Sequence, residues 1–448
     1  MCFRGPVMRK FVFLFILLFP FSAFAKMMDV AHFKLDNGLN VLVVENHKAP
    51  VVLQMIYYKT GSLYDPKGKG GIAHLLEHMM FRGTKNVSSQ DFESLLTKHG
   101  VQNNAYTTYN ETAYHEFSDI SVLELMMALE ADRMQNLLIN DKAFVKERDV
   151  VLQERFQRFE TQSAPLFYET LNKILWQDHA RANPVSGSVE EIKNLTKDDA
   201  IVFYRQWYRP DNAILVLAGD INVTEAKLLT QKYYGKIKAE GEMPKITPPP
   251  APRVSDTTMV MALESVEQPR YVSYMRLDVG ALDDQDMAAL SILEEYLTGD
   301  DTSYLYNRLV YETKQLLAVN VGIDYDKDMG GVAAVYVVPA DLTMSPEKIK
   351  TMVDDEIDKG LKLLDSDKLE KVKSQILSSV IYLQENPISA ARFVGEMFLA
   401  GYSAEEISRY DETLQAVSLD DIHKVWQKIM AYKVRLTGYL KGKENKAE

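Results

Sequence analysis

Two histidines and a glutamate stand within five residues, His74-Leu75-Leu76-Glu77-His78. On a helix, side chains four apart share a face, so His74 and His78 can present two imidazoles to one metal ion. Glu77, three residues from His74, projects beside them. There a carboxylate can take a proton from water held by such an ion and later pass it on. Scarcity sharpens the signal, because the chain has only 8 histidines. Histidines four apart also arise by accident, and an isolated histidine usually ligates nothing, so the acid between them is what favours the metal reading. Gly68-Lys69-Gly70-Gly71, just upstream, lacks the spacing and the Lys-Ser/Thr ending of a phosphate loop. It reads as a flexible lead-in to the helix.

Zinc needs a third protein ligand and leaves a fourth position for water. Glu147 and Glu154 are seven residues apart, two helical turns, and share a face with Val151 between them. Phe144, Val150 and Val151 indicate that this helix is partly buried. Spacing alone leaves two readings open: a solvated, charge-patterned face, the commoner fate of such glutamates, or two carboxylates flanking a buried side chain.

The elements that must position these residues are legible in outline. Phe33–Leu35 and Leu39–Val44 flank Asp36-Asn37-Gly38, a hairpin signal, and Val51–Tyr58 is a further apolar strand. Helical periodicity runs through Ile72–Met80, Leu123–Leu138 and Asp141–Phe159. Five prolines crowd between Gly241 and Pro252, which predicts a semi-rigid strap between two nearly equal halves. A weak repeat agrees with it. Thr196-Lys197-Asp198-Asp199 opens a helix followed by a strand at Ala213–Ala218, and 222 residues later Ser418-Leu419-Asp420-Asp421 opens another, followed by Val434–Leu440. The expected fold is α+β, with two homologous domains, each a mainly antiparallel sheet packed with helices. Their expected bounds are 26–240 and 253–448, joined by the strap at 241–252.

Composition narrows the function. A length of 448 residues allows full-sized cores, and a net charge of −12 argues against sequence-independent grip on nucleic acid. A single cysteine excludes a disulfide scaffold, a Cys-rich zinc module and an iron–sulfur cluster. At the N-terminus, Arg4, Arg9 and Lys10 precede an apolar run from Phe11 to Phe19, with Ala23-Phe24-Ala25 as a small-x-small cleavage pattern. Residues 1–25 therefore read as a signal peptide; the run is short for a membrane anchor and Pro20 interrupts it. Cleavage removes three positive charges and the lone Cys2, taking −12 to −15. The mature chain is expected to keep no stable membrane anchor.

With Glu154 placed 76 residues after His78, the chain resembles the pitrilysin family of zinc metallopeptidases, the inverzincins. The likeness extends through Gly61-Ser62, Phe81-Arg82-Gly83-Thr84, Asn104-Ala105-Tyr106-Thr107, Trp207-Tyr208-Arg209-Pro210-Asp211-Asn212-Ala213 and Gly219-Asp220-Ile221. It is strong in the first half and weak in the second. The length is similar to the mitochondrial-processing-peptidase-like branch and its bacterial relatives. The resemblance implies one zinc ion per chain held by His74, His78 and Glu154, with Glu77 as the catalytic base and Glu147 supporting a histidine ligand. It also implies that peptide substrates lie as an added strand against Asn104 and Ala105, and that the location is periplasmic.

The second half departs from the family pattern. Its only histidine is His423, and it has no H-x-x-E-H. Where active single-chain members carry an Arg and a Tyr that hold the substrate carbonyl oxygen, this chain has Glu312 and Val319. Neither donates a hydrogen bond to a developing oxyanion. Arg308, Tyr311 and Tyr325 are nearby substitutes without the expected spacing. The expectation is a heterodimer with a homologue that lacks the zinc motif and carries the Arg/Tyr pair, otherwise a homodimer. The alternative is a non-catalytic structural or assembly subunit with the peptidase fold.

Overall fold

A computed structural model of the chain describes residues 28–244, 256–432 and 434–443. The expected leader over 1–25 and the strap's prolines from Pro248 onward lie outside the described residues. Among the described residues, eleven strands form two sheets. The first holds β1 (Val30–Lys34), β2 (Asn40–Glu45), β3 (Val51–Tyr58), β4 (Gln102–Thr107), β5 (Thr112–Asp119) and β6 (Ala213–Gly219) in the order β1-β2-β6-β3-β5-β4. The second holds β7 (Thr257–Leu263), β8 (Arg270–Leu277), β9 (Leu316–Asp326), β10 (Gly330–Pro339) and β11 (Arg435–Gly442) in the order β7-β11-β8-β10-β9.

The weak sequence repeat becomes a strong topological one. β2 pairs parallel with β6 and β7 pairs parallel with β11, while every other pairing is antiparallel. The second sheet thus repeats five strands of the first in order and direction. The helices before β6 and β11, Lys197–Trp207 and Leu419–Met430, both open on a reciprocal capping box, Thr196 with Asp199 and Ser418 with Asp421. Each box satisfies backbone N–H groups that a helix start leaves unpaired. In the second half, the helix that follows the inner strand β8, Asp284–Thr298, contains no histidine.

Each sheet covers one face with its own half's helices and the other with a helix of the opposite half. On the first sheet, Leu42, Met55, Tyr57 and Val216 pack against Ala390, Ala391 and Val394 of the helix Pro387–Leu399. Against the second sheet, Phe167, Leu171 and Leu175 of the helix Ser163–Trp176 pack on Val272, Tyr274 and Leu436. A glycine permits each close approach. A Cβ on Gly395 would lie 2.3 Å from the Tyr57 ring, and one on Gly438 would lie 2.5 Å from Leu171. Burial on both faces explains the near-continuous apolar run of β6, AILVLAG, which strand alternation alone would not produce. Among the described residues, no helix is long and apolar enough to cross a membrane.

Candidate active site

The helix Ile72–Met79 turns Ile72, Ala73, Leu75, Leu76 and Met79 into the core. The 3.6-residue period leaves His74, Glu77 and His78 together on its half-buried face. Its start is tied down rather than loose. Gly71 takes φ +86°, and a Cβ there would meet the Ser186 carbonyl at 2.4 Å. The Asp65 carboxyl, whose pKa burial pushes well up, accepts from Gly71 N–H at 2.7 Å and Ala73 N–H at 3.1 Å and so caps the helix N-terminus. Asp65→Ala is expected to lower stability by about 1–2 kcal/mol, as for loss of an N-terminal cap, read by chemical denaturation. A loss below a few tenths of a kcal/mol would show that Gly71 alone sets the helix start.

The second helix, Asp141–Arg155, buries Phe144, Glu147, Val151 and Arg155. It then widens into a π-turn at Phe156–Glu160 instead of continuing as α-helix to Phe159. The two readings left open by spacing divide between the two glutamates: Glu147 is 0% exposed and Glu154 is 49% exposed. Glu154 Oε2 lies 3.7 Å from His74 Nε2 and 3.6 Å from His78 Nε2. These separations are long for hydrogen bonds but close to the roughly 3.4 Å between donors around one tetrahedral zinc ion. Among the described residues, this trio is the one set of three such ligand atoms within 4.8 Å of one another.

The electrostatics suit a metal. Burial pushes His74 down to about 3, helped by the charges of His78 and Arg158, so the ring is neutral and its lone pair is available for ligation. Glu147 Oε2 sits 3.5 Å from His78 Nδ1, the nitrogen facing away from the trio, while His74 Nδ1 is buried without a hydrogen-bond partner. Burial raises the pKa of Glu77, opposed by a hydrogen bond from the Thr107 hydroxyl and by His78. A carboxylate raised in this way accepts a proton more readily than an exposed one.

Thr107 ends β4, the open edge of the first sheet, so the edge strand is bonded directly to the candidate base. Asn104 and Ala105 lie on the same strand, and Asn104 Oδ1 accepts from the Ala105 N–H at 2.9 Å. Two cavities of about 520 Å³ each flank Glu77, one reaching Ala105, Tyr106 and Arg158, the other Phe81, Arg82 and Phe92. A larger cavity of about 600 Å³, lined by Lys59, Glu111, Asp326 and Glu396, contains none of the trio and no histidine.

All seven residues singled out from the sequence gather here: His74, Glu77, His78, Glu147, Glu154, Asn104 and Ala105. Arg308, Tyr311 and Tyr325 do not line the cavities at His74 and Glu77. Arg308 is paired with Glu312 at 2.5 Å and Glu356 at 3.4 Å, and the Tyr325 hydroxyl accepts from Leu282 N–H at 3.2 Å. Val319 is buried in β9. Thr107, Arg82 and Arg158 had no individual signal, since nothing in the spacing of residues 77 and 107 announces contact.

Comparison with known proteins bears on what this arrangement is. Residues 40–189 match the family model for insulinase, peptidase family M16, and residues 194–391 match that for the peptidase M16 inactive domain. The zinc protease PqqE of Helicobacter pylori is 30% identical over 284 residues, 62% of this chain and 62% of that protein. The match therefore spans less than two thirds of that relative's length. Among solved structures, a protease from Helicobacter pylori shares the fold with a TM-score of 0.84 at 24% identity, over 92% of this chain and 100% of that one. The periplasmic protease PqqL from Escherichia coli does so with a TM-score of 0.76 at 19% identity, over 92% of this chain and 47% of that one. With two models of one family matched in tandem and the fold shared along nearly its whole length, this chain belongs to the insulinase, or pitrilysin, family of peptidases, M16.

Proposed function

We propose that the chain is a zinc-dependent endopeptidase that hydrolyses peptides or unfolded segments. The observation that carries this reading is the convergence of His74, His78 and Glu154 on one point beside Glu77. The donor set fits zinc, with two imidazoles, one carboxylate and ligand spacings near tetrahedral. Zinc held there would supply a Lewis acid and make water acidic enough to deprotonate near neutral pH. Glu77 takes the proton from the attacking water and delivers it to the leaving amine. The Thr107 hydroxyl holds one Glu77 oxygen and thereby aims the other. Substrate adds as a strand along the open edge of β4 at Asn104 and Ala105, where backbone pairing gives sequence-tolerant affinity and the two flanking cavities receive side chains.

The groups that would hold the substrate carbonyl come from a second, homologous subunit carrying an Arg/Tyr pair. This rests on Glu312 and Val319 at the expected places and on the engagement of Arg308 and Tyr325 elsewhere. The compartment is periplasmic, supported by the leader-like N-terminus and the periplasmic protease among the structural relatives. A non-catalytic assembly subunit is the second reading, favoured by the resemblance of residues 194–391 to an inactive domain. Zinc content and peptide cleavage of the purified chain, alone and with such a homologue, test both. The expectation is one zinc per chain, weak cleavage alone and a large gain on adding the partner. A zinc-free chain would remove the enzyme reading, and full activity of the chain alone would remove the partner.

A further inference from the structure

Glu147 is fully buried, and an uncompensated anion there would be costly. Among the described residues, the cation paired with it is Arg82, whose Nε lies 2.8 Å from Oε1 and whose Nη2 donates to Oε2 at 3.1 Å. The guanidinium thus lies against both carboxylate oxygens, through one hydrogen bond to Oε2 and one close ion-pair contact to Oε1, which a single point charge would not do. The same Oε2 faces His78 Nδ1 at 3.5 Å. Arg82 is itself anchored just beyond the histidine helix, its N–H bonded to the Met79 carbonyl at 2.9 Å. At 30% exposure, with its side chain in the cavity beside Glu77 and His78, Arg82 can be truncated without opening a sealed core.

We propose that Arg82 is a positioning residue for the metal centre. It locks Glu147, and Glu147 locks the ring of His78 with Nε2 toward His74 and Glu154. The proposal rests on the reading of His74, His78 and Glu154 as zinc ligands. His74, with no partner on Nδ1, has no comparable support, so the orientation of the pair depends on this relay. Groups that orient a ligating histidine change metal affinity by about 10- to 100-fold.

The test is zinc release from the loaded full-length protein to a chromogenic chelator, with the melting temperature of each metal-free form measured alongside. Arg82→Met is expected to weaken zinc retention by about 10- to 100-fold, and Arg82→Lys to recover part of it. Glu147→Gln is expected to reproduce the loss, and Arg82→Met combined with Glu147→Gln to add nothing further, as coupled residues do. Wild-type zinc retention in Arg82→Met, or full additivity in the double variant, would overturn the proposal. Should Arg82→Met fail to fold, Arg82→Lys decides: undiminished retention overturns the relay and an intermediate loss supports it. Retention in His78→Ala equal to wild type would instead defeat the ligand reading, and the relay with it.

Discussion

Glu77→Gln is expected to cut peptide cleavage by about 10²- to 10⁴-fold, the range for loss of a general base, while leaving zinc bound. Glutamine has nearly the same shape and still offers a carbonyl oxygen to the Thr107 hydroxyl, so the local structure persists. It cannot accept the proton of the attacking water. Glu77 is not in the trio whose ligand atoms converge, so metal content should not change. Cleavage of a quenched fluorescent peptide, measured with the homologous subunit present and referenced to zinc content, reads both quantities. Undiminished cleavage in the zinc-loaded variant would remove Glu77 from the role of base.

Arg133→Leu is expected to destabilise the fold by about 3–5 kcal/mol, the loss typical when one partner of a buried ion pair is removed. Arg133 is 1% exposed and pairs with Glu116 on β5 at 2.5 Å and with Glu130 within its own helix, Leu123–Asn136. Its guanidinium also lies over the rings of Phe81, Phe92 and Tyr114, at 5.1–5.4 Å. Burial holds Glu116 above the usual carboxylate range; Arg133 pulls it down and Glu130 pushes it up. Removing Arg133 raises the folded-state pKa of Glu116 further above its unfolded value of about 4.3. An acid whose folded pKa is raised costs stability as pH rises past its unfolded value. The deficit should therefore be larger at pH 8 than at pH 5. Denaturant unfolding of wild type and variant at the two pH values checks this. A deficit under 1 kcal/mol, or one independent of pH, would show that packing and not charge sets the role of Arg133. Because β5 carries the edge strand β4, the same variant should loosen the strand on which Thr107, Asn104 and Ala105 sit.

How far the sequence could be read depended on how local each feature was. The helix bearing His74, Glu77 and His78 was placed within one residue of its observed end, and Val51–Tyr58 matched its strand. The capped helices before β6 and β11 also followed from local chemistry. The helix Asp141–Arg155 gives way to a π-turn earlier than its periodicity suggested, at the point where Arg155 turns inward to pair with Glu169 at 2.6 Å and stack over Phe159 at 4.2 Å. That pairing is made with the next helix and has no trace in the hydrophobic pattern.

The sequence by itself determined which side chains could share a helical face, since 3.6 residues per turn is a property of the backbone and needs no partner. His74, Glu77 and His78 were therefore legible as one chemical unit, and Glu147 and Glu154 as another. Only the tertiary structure decided that Glu147 is sealed beneath Arg82 while Glu154, two turns away, remains half exposed and meets both histidines. It also decided that Thr107 bonds to Glu77, and that each half lends a helix to the other's sheet. Burial and long-range contact depend on which surfaces the whole chain brings together, and no spacing within one element encodes that.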